Sequence, residues 1–381
     1  MDNHKFFRNP EHELLKFCDK HERILLYGAG RLGKYTLSYL KSYQKHIDGF
    51  VVSDGQPTVG SIEGLPVYHS SAIPFEPSET GVFLSLHHDF FDNAVENLKK
   101  SGFSNIRPIE VDDVNCIELE YHSELLSKFF GEKQIDINQS ILDLQKFKFI
   151  NPWLMNKETL RSFLWEAKDL ILPLLGDDSL IDEGLYEYNQ IQLENKDVVL
   201  DCGANIGIFS AYAAAQNCQV YAFEPTPDTI PILDKNKEIY PENFHIIPKA
   251  VSDKDGTISF YCYNDANSIN SVFDTTLLYS NHYKISQEVI VPTITLDSFA
   301  EENNLKKVDF IKCDIEGSER QMLKGARNIL KNHAPKLAIC TYHLPDDKEV
   351  LERLILEANP NYQIIHKWKK LYAYVPKLKR G

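Results

Sequence analysis

The chain has 381 residues, enough for two or three domains each with a core of its own. Its 55 acidic against 41 basic residues leave a formal net charge of −14, which argues against sequence-independent nucleic-acid binding, because that affinity comes from Lys and Arg set against phosphates. The seven cysteines show no Cys-x-x-Cys spacing, the N-terminus lacks the apolar core of a signal peptide, and no apolar run is long enough to span a bilayer, so a cytoplasmic protein with free thiols is expected.

The first strong signal is Arg23-Ile-Leu-Leu-Tyr-Gly28-Ala-Gly30-Arg31-Leu-Gly33-Lys34, an apolar strand, a glycine turn and an amphipathic helix over residues 35–43. This is the context that Gly-x-Gly-x-x-Gly requires, and with Arg31 and Lys34 beside it and no acid before Gly28 the turn suits a phosphate. The next strand, residues 47–54, ends on Asp54, so Gly28, Gly30, Arg31, Gly33 and Asp54 form a candidate nucleotide site. A strand at 82–86, a helix near 91–100 and a short strand at 105–109 complete a small Rossmann-like domain over residues 1–115. It resembles the nucleotide-sugar-binding N-terminal domains of some bacterial amino-sugar acyltransferases and sugar-modifying enzymes; a ligand-free scaffold is the alternative. His87-His88-Asp89 reads as a solvated loop, with no further His or Cys at zinc-ligand spacing.

Residues 116–196 carry a helical periodicity, with Leu125, Leu126, Phe129 and Phe130 on one face and Leu160, Phe163, Leu164 and Leu170 on another. They read as a helical linker or cap, punctuated by a boundary-like Asn151-Pro152-Trp153. Glu183, Tyr186 and Tyr188 are candidates to line a cofactor mouth or simply to fill a seam.

From residue 197 to 381 a second α/β domain is expected. Asp197-Val-Val-Leu-Asp201-Cys-Gly203-Ala-Asn205-Ile-Gly207 is a buried strand and glycine turn, followed by an Ala-rich helix to about residue 216. A dinucleotide turn places Gly where Asp201 stands, because a carboxylate repels pyrophosphate; Asp201 suits a cofactor with a positive end, such as S-adenosylmethionine. The next strand ends on Glu224-Pro225, where an acid receives two ribose hydroxyls. Further strands are expected at 244–252, 308–313, 335–341, 362–368 and 371–375, the last two as an antiparallel hairpin, with Lys367 to Lys370 as its solvated edge.

The third strand leads into Val251-Ser252-Asp253, placed to meet an adenine edge. A β insertion over 256–263 and 288–292 carries Asn267, Asn270 and Ser271 as candidate acceptor contacts. Asp314-Ile-Glu316-Gly317 ends the fourth strand and His343 ends the fifth, which brings His343 near Asp314 as a plausible general base. The same three side chains can hold a divalent cation, but metal-free base catalysis is the favoured expectation and no metal is assigned.

The run of Val-Val-Leu-Asp201-Cys-Gly-Ala-Asn-Ile-Gly, Phe-Glu224-Pro, Lys249-Ala-Val-Ser-Asp, Ile294-Thr-Leu-Asp-Ser-Phe, Phe310-Ile-Lys-Cys-Asp-Ile-Glu-Gly and Tyr342-His343 resembles the FkbM family of S-adenosylmethionine-dependent O-methyltransferases, in family order and over roughly half the chain. The resemblance implies an antiparallel hairpin closing a parallel methyltransferase sheet, S-adenosylmethionine as cofactor and catalysis around Asp314, Glu316 and His343. With the N-terminal domain it points to a glycan or nucleotide-sugar acceptor, methylated on a sugar hydroxyl during surface-polysaccharide or secondary-metabolite assembly. The rival expectations are an NAD(P)-dependent oxidoreductase using Gly28 to Gly33 and a non-catalytic scaffold that kept the cofactor fold.

Overall fold

The computed structural model describes residues 12–57, 60–178, 181–263, 270–272 and 285–376. Its contacts divide the chain into two α/β units, Met1–Phe129 and Phe130–Gly381. Among the described residues no helix is long and apolar enough to cross a membrane.

In the first unit, strands β1 (Arg23–Tyr27), β2 (Gly49–Val52), β3 (Ser61–Ile62), β4 (Leu65–His69), β5 (Thr80–Leu84) and β6 (Ile106–Pro108) form one sheet in the order β3-β4-β2-β1-β5-β6. All pairs are parallel except β3 with β4. Two apolar clusters cover its faces, one with Leu26, Leu40 and Phe83, the other with Leu25, Val82 and Leu98. Helix α1 is Glu13–Cys18, α2 is Arg31–Ser42, α3 is Phe91–Lys100, and α4 (Val111–Glu132) runs out of the unit.

The second unit opens with a hairpin that the helical reading of residues 116–196 lacked: β7 (Ile141–Asp143) pairs antiparallel with β8 (Lys148–Ile150). Only the middle residue of β7, Leu142, is buried, and Gln145 turns the chain at φ +64°. The contacts therefore put one boundary at residues 129/130, in place of boundaries at 115/116 and 196/197. Asn236 explains why residues beyond 130 join the C-terminal sheet: its carbonyl accepts from Ile150 N at 3.0 Å while its amide donates to Ile206 O at 2.9 Å. Asn151-Pro152-Trp153 lies inside this unit's core, with Trp153 packed edge-on against Phe130 and Phe163. Helix α5 (Lys157–Ala167), capped by Asn156, and α6 (Ile171–Leu174) follow.

The main sheet contains β9 (Val198–Cys202), β10 (Gln219–Phe223), β11 (Phe244–Ile247), β15 (Phe310–Cys313), β16 (Lys336–Cys340), β17 (Gln363–Lys367) and β18 (Lys370–Tyr374), in the order β11-β10-β9-β15-β16-β18-β17. The first five are parallel and the closing pair is antiparallel, as expected. Residues 244–252 are not one strand. Pro248 interrupts them, and β12 (Ala250–Val251) leaves the main sheet to pair with β14 (Ile285–Ile294), itself antiparallel to β13 (Gly256–Tyr263). The strand order reverses between β9 and β15, and that switch point is where open α/β sheets bind ligands.

Candidate active site

At the switch point, β9 turns through Gly203 to Gly207 into α7 (Ile208–Ala215). Gly203 has φ +79°, and a Cβ there would sit 1.9 Å from Asp314 O, so no other residue fits between the two strand ends. Gly207 caps α7 at φ +87° against Leu233. Asp201 is fully buried and faces Lys312 on the neighbouring strand, its Oδ1 3.0 Å from Nζ, while Ser210 Oγ donates to its Oδ2 at 2.6 Å. The charge that the sequence reading set against a positively charged cofactor is paired inside the protein in this structure. Burial alone would strip Lys312 of its proton; Asp201, Asp314 and Glu166 reverse this and hold the ammonium above its ordinary range.

Glu224 follows β10 and is buried, with its carboxyl raised by burial. Its Oε2 accepts from Asn205 N and its Oε1 from Thr226 N, each at 2.8 Å, which fixes it beside the glycine turn. A cavity open to solvent lies over these groups. Of the candidate residues, Gly203, Asn205, Glu224, Pro225, Val251, Asn270, Asp314 and Glu316 line it.

Asp201, Gly207, Ser252, Asp253 and Ser271 do not line this cavity. Ser252 N is spent on Ile294 O, Asp253 is exposed, and Ser271 Oγ donates to Glu316 O at 2.8 Å, a support for the acid turn. Asn270 serves the insertion as well, accepting from Tyr263 N at 2.9 Å. Asn267 lies outside the described residues.

Asp314, Glu316 and His343 come together as the sequence suggested. His343 Nε2 lies 3.6 Å from Asp314 Oδ1 and 3.4 Å from Glu316 Oε2, and Nδ1 lies 3.1 Å from Glu319 Oε1. Glu316 adopts φ +53°, a left-handed conformation that turns its carboxylate back toward this cluster. Burial favours neutral imidazole, but Glu319 and Glu316 outweigh it and hold His343 well above its usual value. His343 does not line the cavity, which leaves the general-base expectation without a direct contact to a ligand there.

Behind Asp314 stands a second group that the sequence hardly marked. Tyr186 donates to Asp314 Oδ2 at 3.0 Å, and Lys370 Nζ sits 4.5 Å from the Tyr186 ring and 4.0 Å from Glu183 Oε2. Lys370 is 1% exposed, so it is not the solvated hairpin edge that its neighbours implied. Asp169 Oδ1 accepts from three successive amides, Asp182 to Gly184, and so orients Glu183, which also accepts from Trp165 Nε1 at 3.3 Å. Burial and the Asp314 charge push Glu183 up to about 7. Its carboxylate lies within 4.8 Å of those of Asp314 and the Cys340 thiol. Half-buried Glu166, hydrogen-bonded by Asn205 Nδ2 at 2.9 Å, is raised to about 8 by burial against the pull of Lys312.

In the N-terminal unit the glycine turn is built as expected, but its residues divide. A Cβ on Gly28 would meet Ser85 O at 2.4 Å and one on Gly33 would meet Gly28 O at 2.0 Å, so both serve close packing, while Gly30 faces open space. Gly30, Arg31, Lys34 and Lys41 line one cavity. Asp54 lines another, where it accepts from Ser70 Oγ and Ser71 N at 3.1 Å, so it is not part of the turn's site. His87 and Asp89 form an exposed pair at 3.1 Å.

Comparison with known proteins agrees with the C-terminal geometry. The chain is 28% identical over 203 residues, 53% of its length and 75% of the other, to the hexuronic acid methyltransferase AglP of Haloferax volcanii. It is 25% identical over 187 residues, 43% of its length and 70% of the other, to the 31-O-demethyl-FK506 methyltransferase FkbM of Streptomyces tacrolimicus. The crystal structure of methyltransferase FkbM from Methylobacillus flagellatus KT aligns with a TM-score of 0.41 and 16% identity, covering 92% of this chain and 89% of that one. Residues 201–368 match the family model of the methyltransferase FkbM domain, which supports a methyltransferase in this region of the chain.

Proposed function

We propose that the C-terminal unit is an S-adenosylmethionine-dependent O-methyltransferase acting on a sugar hydroxyl. Glu224 carries the reading: a buried carboxylate at the end of the strand beside the glycine turn, fixed by one amide on each oxygen, retains lone pairs for the two hydroxyls of a ribose. Asp314 and Glu316 on the same cavity wall supply negative charge for a sulfonium and an ammonium, the part first given to Asp201. The kinship with a hexuronic acid methyltransferase supports a sugar acceptor.

In this reading the acceptor oxygen forms a bond to the methyl carbon as the carbon–sulfur bond breaks, its electrons going to sulfur, and the hydroxyl proton leaves to a base. Glu183, at about 7, is the group whose proton affinity matches neutral pH, with Asp314 between it and the cavity. Against the opposing effect of burial, His343, Lys312 and Lys370 hold the Asp314 carboxyl below its usual range, and Tyr186 also donates a hydrogen bond to it. Calorimetry with S-adenosylhomocysteine tests the assignment: Glu224→Ala should bind at least tenfold more weakly than wild type, and equal affinity would refute it. The methylated sugar should survive mild alkali, as an ether does and an ester does not.

For the N-terminal unit we propose a nucleotide or nucleotide sugar whose phosphates lie at Gly30, supported by the open space there and by Arg31, Lys34 and Lys41 around the cavity.

A further inference from the structure

We propose that Asp314, Glu316 and His343 hold a divalent cation at the edge of the methyl-donor cavity, where it would bind the acceptor oxygen. The proposal rests on the reading of that cavity as the methyl-transfer site. One carboxylate oxygen each from Asp314 and Glu316 and one ring nitrogen of His343 lie within 4.8 Å of one another. Nε2 is 3.6 Å and 3.4 Å from the two oxygens. Neighbouring ligands on an octahedral cation are separated by about 2.9 Å for magnesium-length bonds and about 3.5 Å for calcium-length ones. Nε2 therefore stands at about the calcium-length spacing from both oxygens, and a side-chain adjustment of about 0.5–0.7 Å would bring it to the magnesium-length one.

His343 supplies the second, independent observation. Its side chain is 1% exposed, yet neither ring nitrogen makes a hydrogen bond of acceptable geometry. A buried polar ring left in that condition is costly. A cation at Nε2 satisfies one nitrogen, and a proton on Nδ1 turned toward Glu319 Oε1, 3.1 Å away, satisfies the other. Glu319 is fully buried and itself held by Ile315 N at 3.0 Å. Carboxylate to imidazole to metal is the arrangement that fixes the ring and its tautomer at metal sites. The other charged groups facing the cluster are Asp347, bound to Arg320, and, on the Asp314 side, the Lys312 and Lys370 ammoniums with the Glu183 and Glu166 carboxyls. The cations there keep the site from accumulating uncompensated negative charge without taking the His343 side.

Two carboxylates and one imidazole suit magnesium or manganese, and leave positions for two oxygens of an acceptor. When bound, such a cation lowers the proton affinity of a coordinated hydroxyl. A sugar with two adjacent oxygens, whether vicinal hydroxyls or a hydroxyl beside a carboxylate, is the acceptor chemistry this favours.

The full-length protein, stripped with EDTA and dialysed, should be titrated with Mn²⁺ and followed by the loss of the free-ion EPR signal. One ion per chain is expected in wild type, with affinity falling at least tenfold in both His343→Ala and Glu316→Gln. S-adenosylhomocysteine affinity, measured by calorimetry in EDTA, should change less than threefold in His343→Ala, whose side chain lies outside the donor cavity, and that retained binding also shows the variant to be folded. No Mn²⁺ uptake by wild type, or equal uptake by the two variants, overturns the proposal. Loss of S-adenosylhomocysteine binding by metal-stripped wild type would count against the methyl-donor reading alone.

Discussion

Lys312→Met removes the cation opposite Asp201 and leaves a carboxylate with 0% exposure and Ser210 as its remaining hydrogen-bond donor. At 3.0 Å the pair attracts by about 5 kcal/mol for an effective dielectric of about 20, and breaking a buried pair costs about 3–5 kcal/mol, because the orphaned charge stays in the core. In a unit of this size that corresponds to roughly 10 °C in Tm. Urea or thermal unfolding of Lys312→Met, of Asp201→Asn and of the double variant measures it. The double variant should recover most of the loss, since neither charge is then stranded. If Asp201→Asn kept full stability while losing S-adenosylhomocysteine binding, Asp201 would be a direct cofactor ligand and the internal pairing argument would be wrong.

Glu183→Gln should lose at least a hundredfold in kcat while S-adenosylhomocysteine still binds, and wild-type kcat should rise with pH through about 7 as Glu183 gives up its proton; a flat profile from pH 6 to 8 would rule out this base. Stability should move the other way. Glu183 and Glu166 hold protons to about 7 and about 8 in the folded chain against 4.5 as the reference, so the folded state binds more protons and unfolding free energy falls as pH rises from about 5 to about 8. Glu183 alone accounts for on the order of 3 kcal/mol, and His343, also raised, adds in the same direction. Urea midpoints in EDTA across that range check it, and a rising midpoint would contradict it. In the N-terminal unit, Gly30→Asp should abolish the thermal stabilisation that a nucleotide sugar gives the full chain, and no response of wild type to any nucleotide would leave this unit without the proposed ligand.

The groups legible in the sequence are those that strand ends place by local geometry. Gly203 and Glu224 sit one turn beyond adjacent strands, and Asp314, Glu316 and His343 sit beyond the next two, so element order alone assembles them. The groups that escaped are paired across the chain. Lys312 is a lone cation in the apolar Phe310–Cys313, a hint that its strand faces a buried acid, but which acid follows only from the Asp201 register. Lys370 looked like part of a basic surface run, and its burial depends on Tyr186 and Glu183 arriving from a distant segment. The hairpin at residues 141–150 was hidden because each strand is three residues long, too short for a period of two to emerge from helical neighbours.

The contact between Gly203 and the Asp314 carbonyl makes one rigid corner of two turns that sequence motifs treat as separate. A ligand at the first turn and a charge at the second therefore share one closely packed corner. Thermodynamic reciprocity then requires that whatever a bound methyl donor does to the proton or cation affinity at Asp314, a proton or cation there does equally to the affinity for the donor. The absent side chain at Gly203 is what lets the two turns approach this closely.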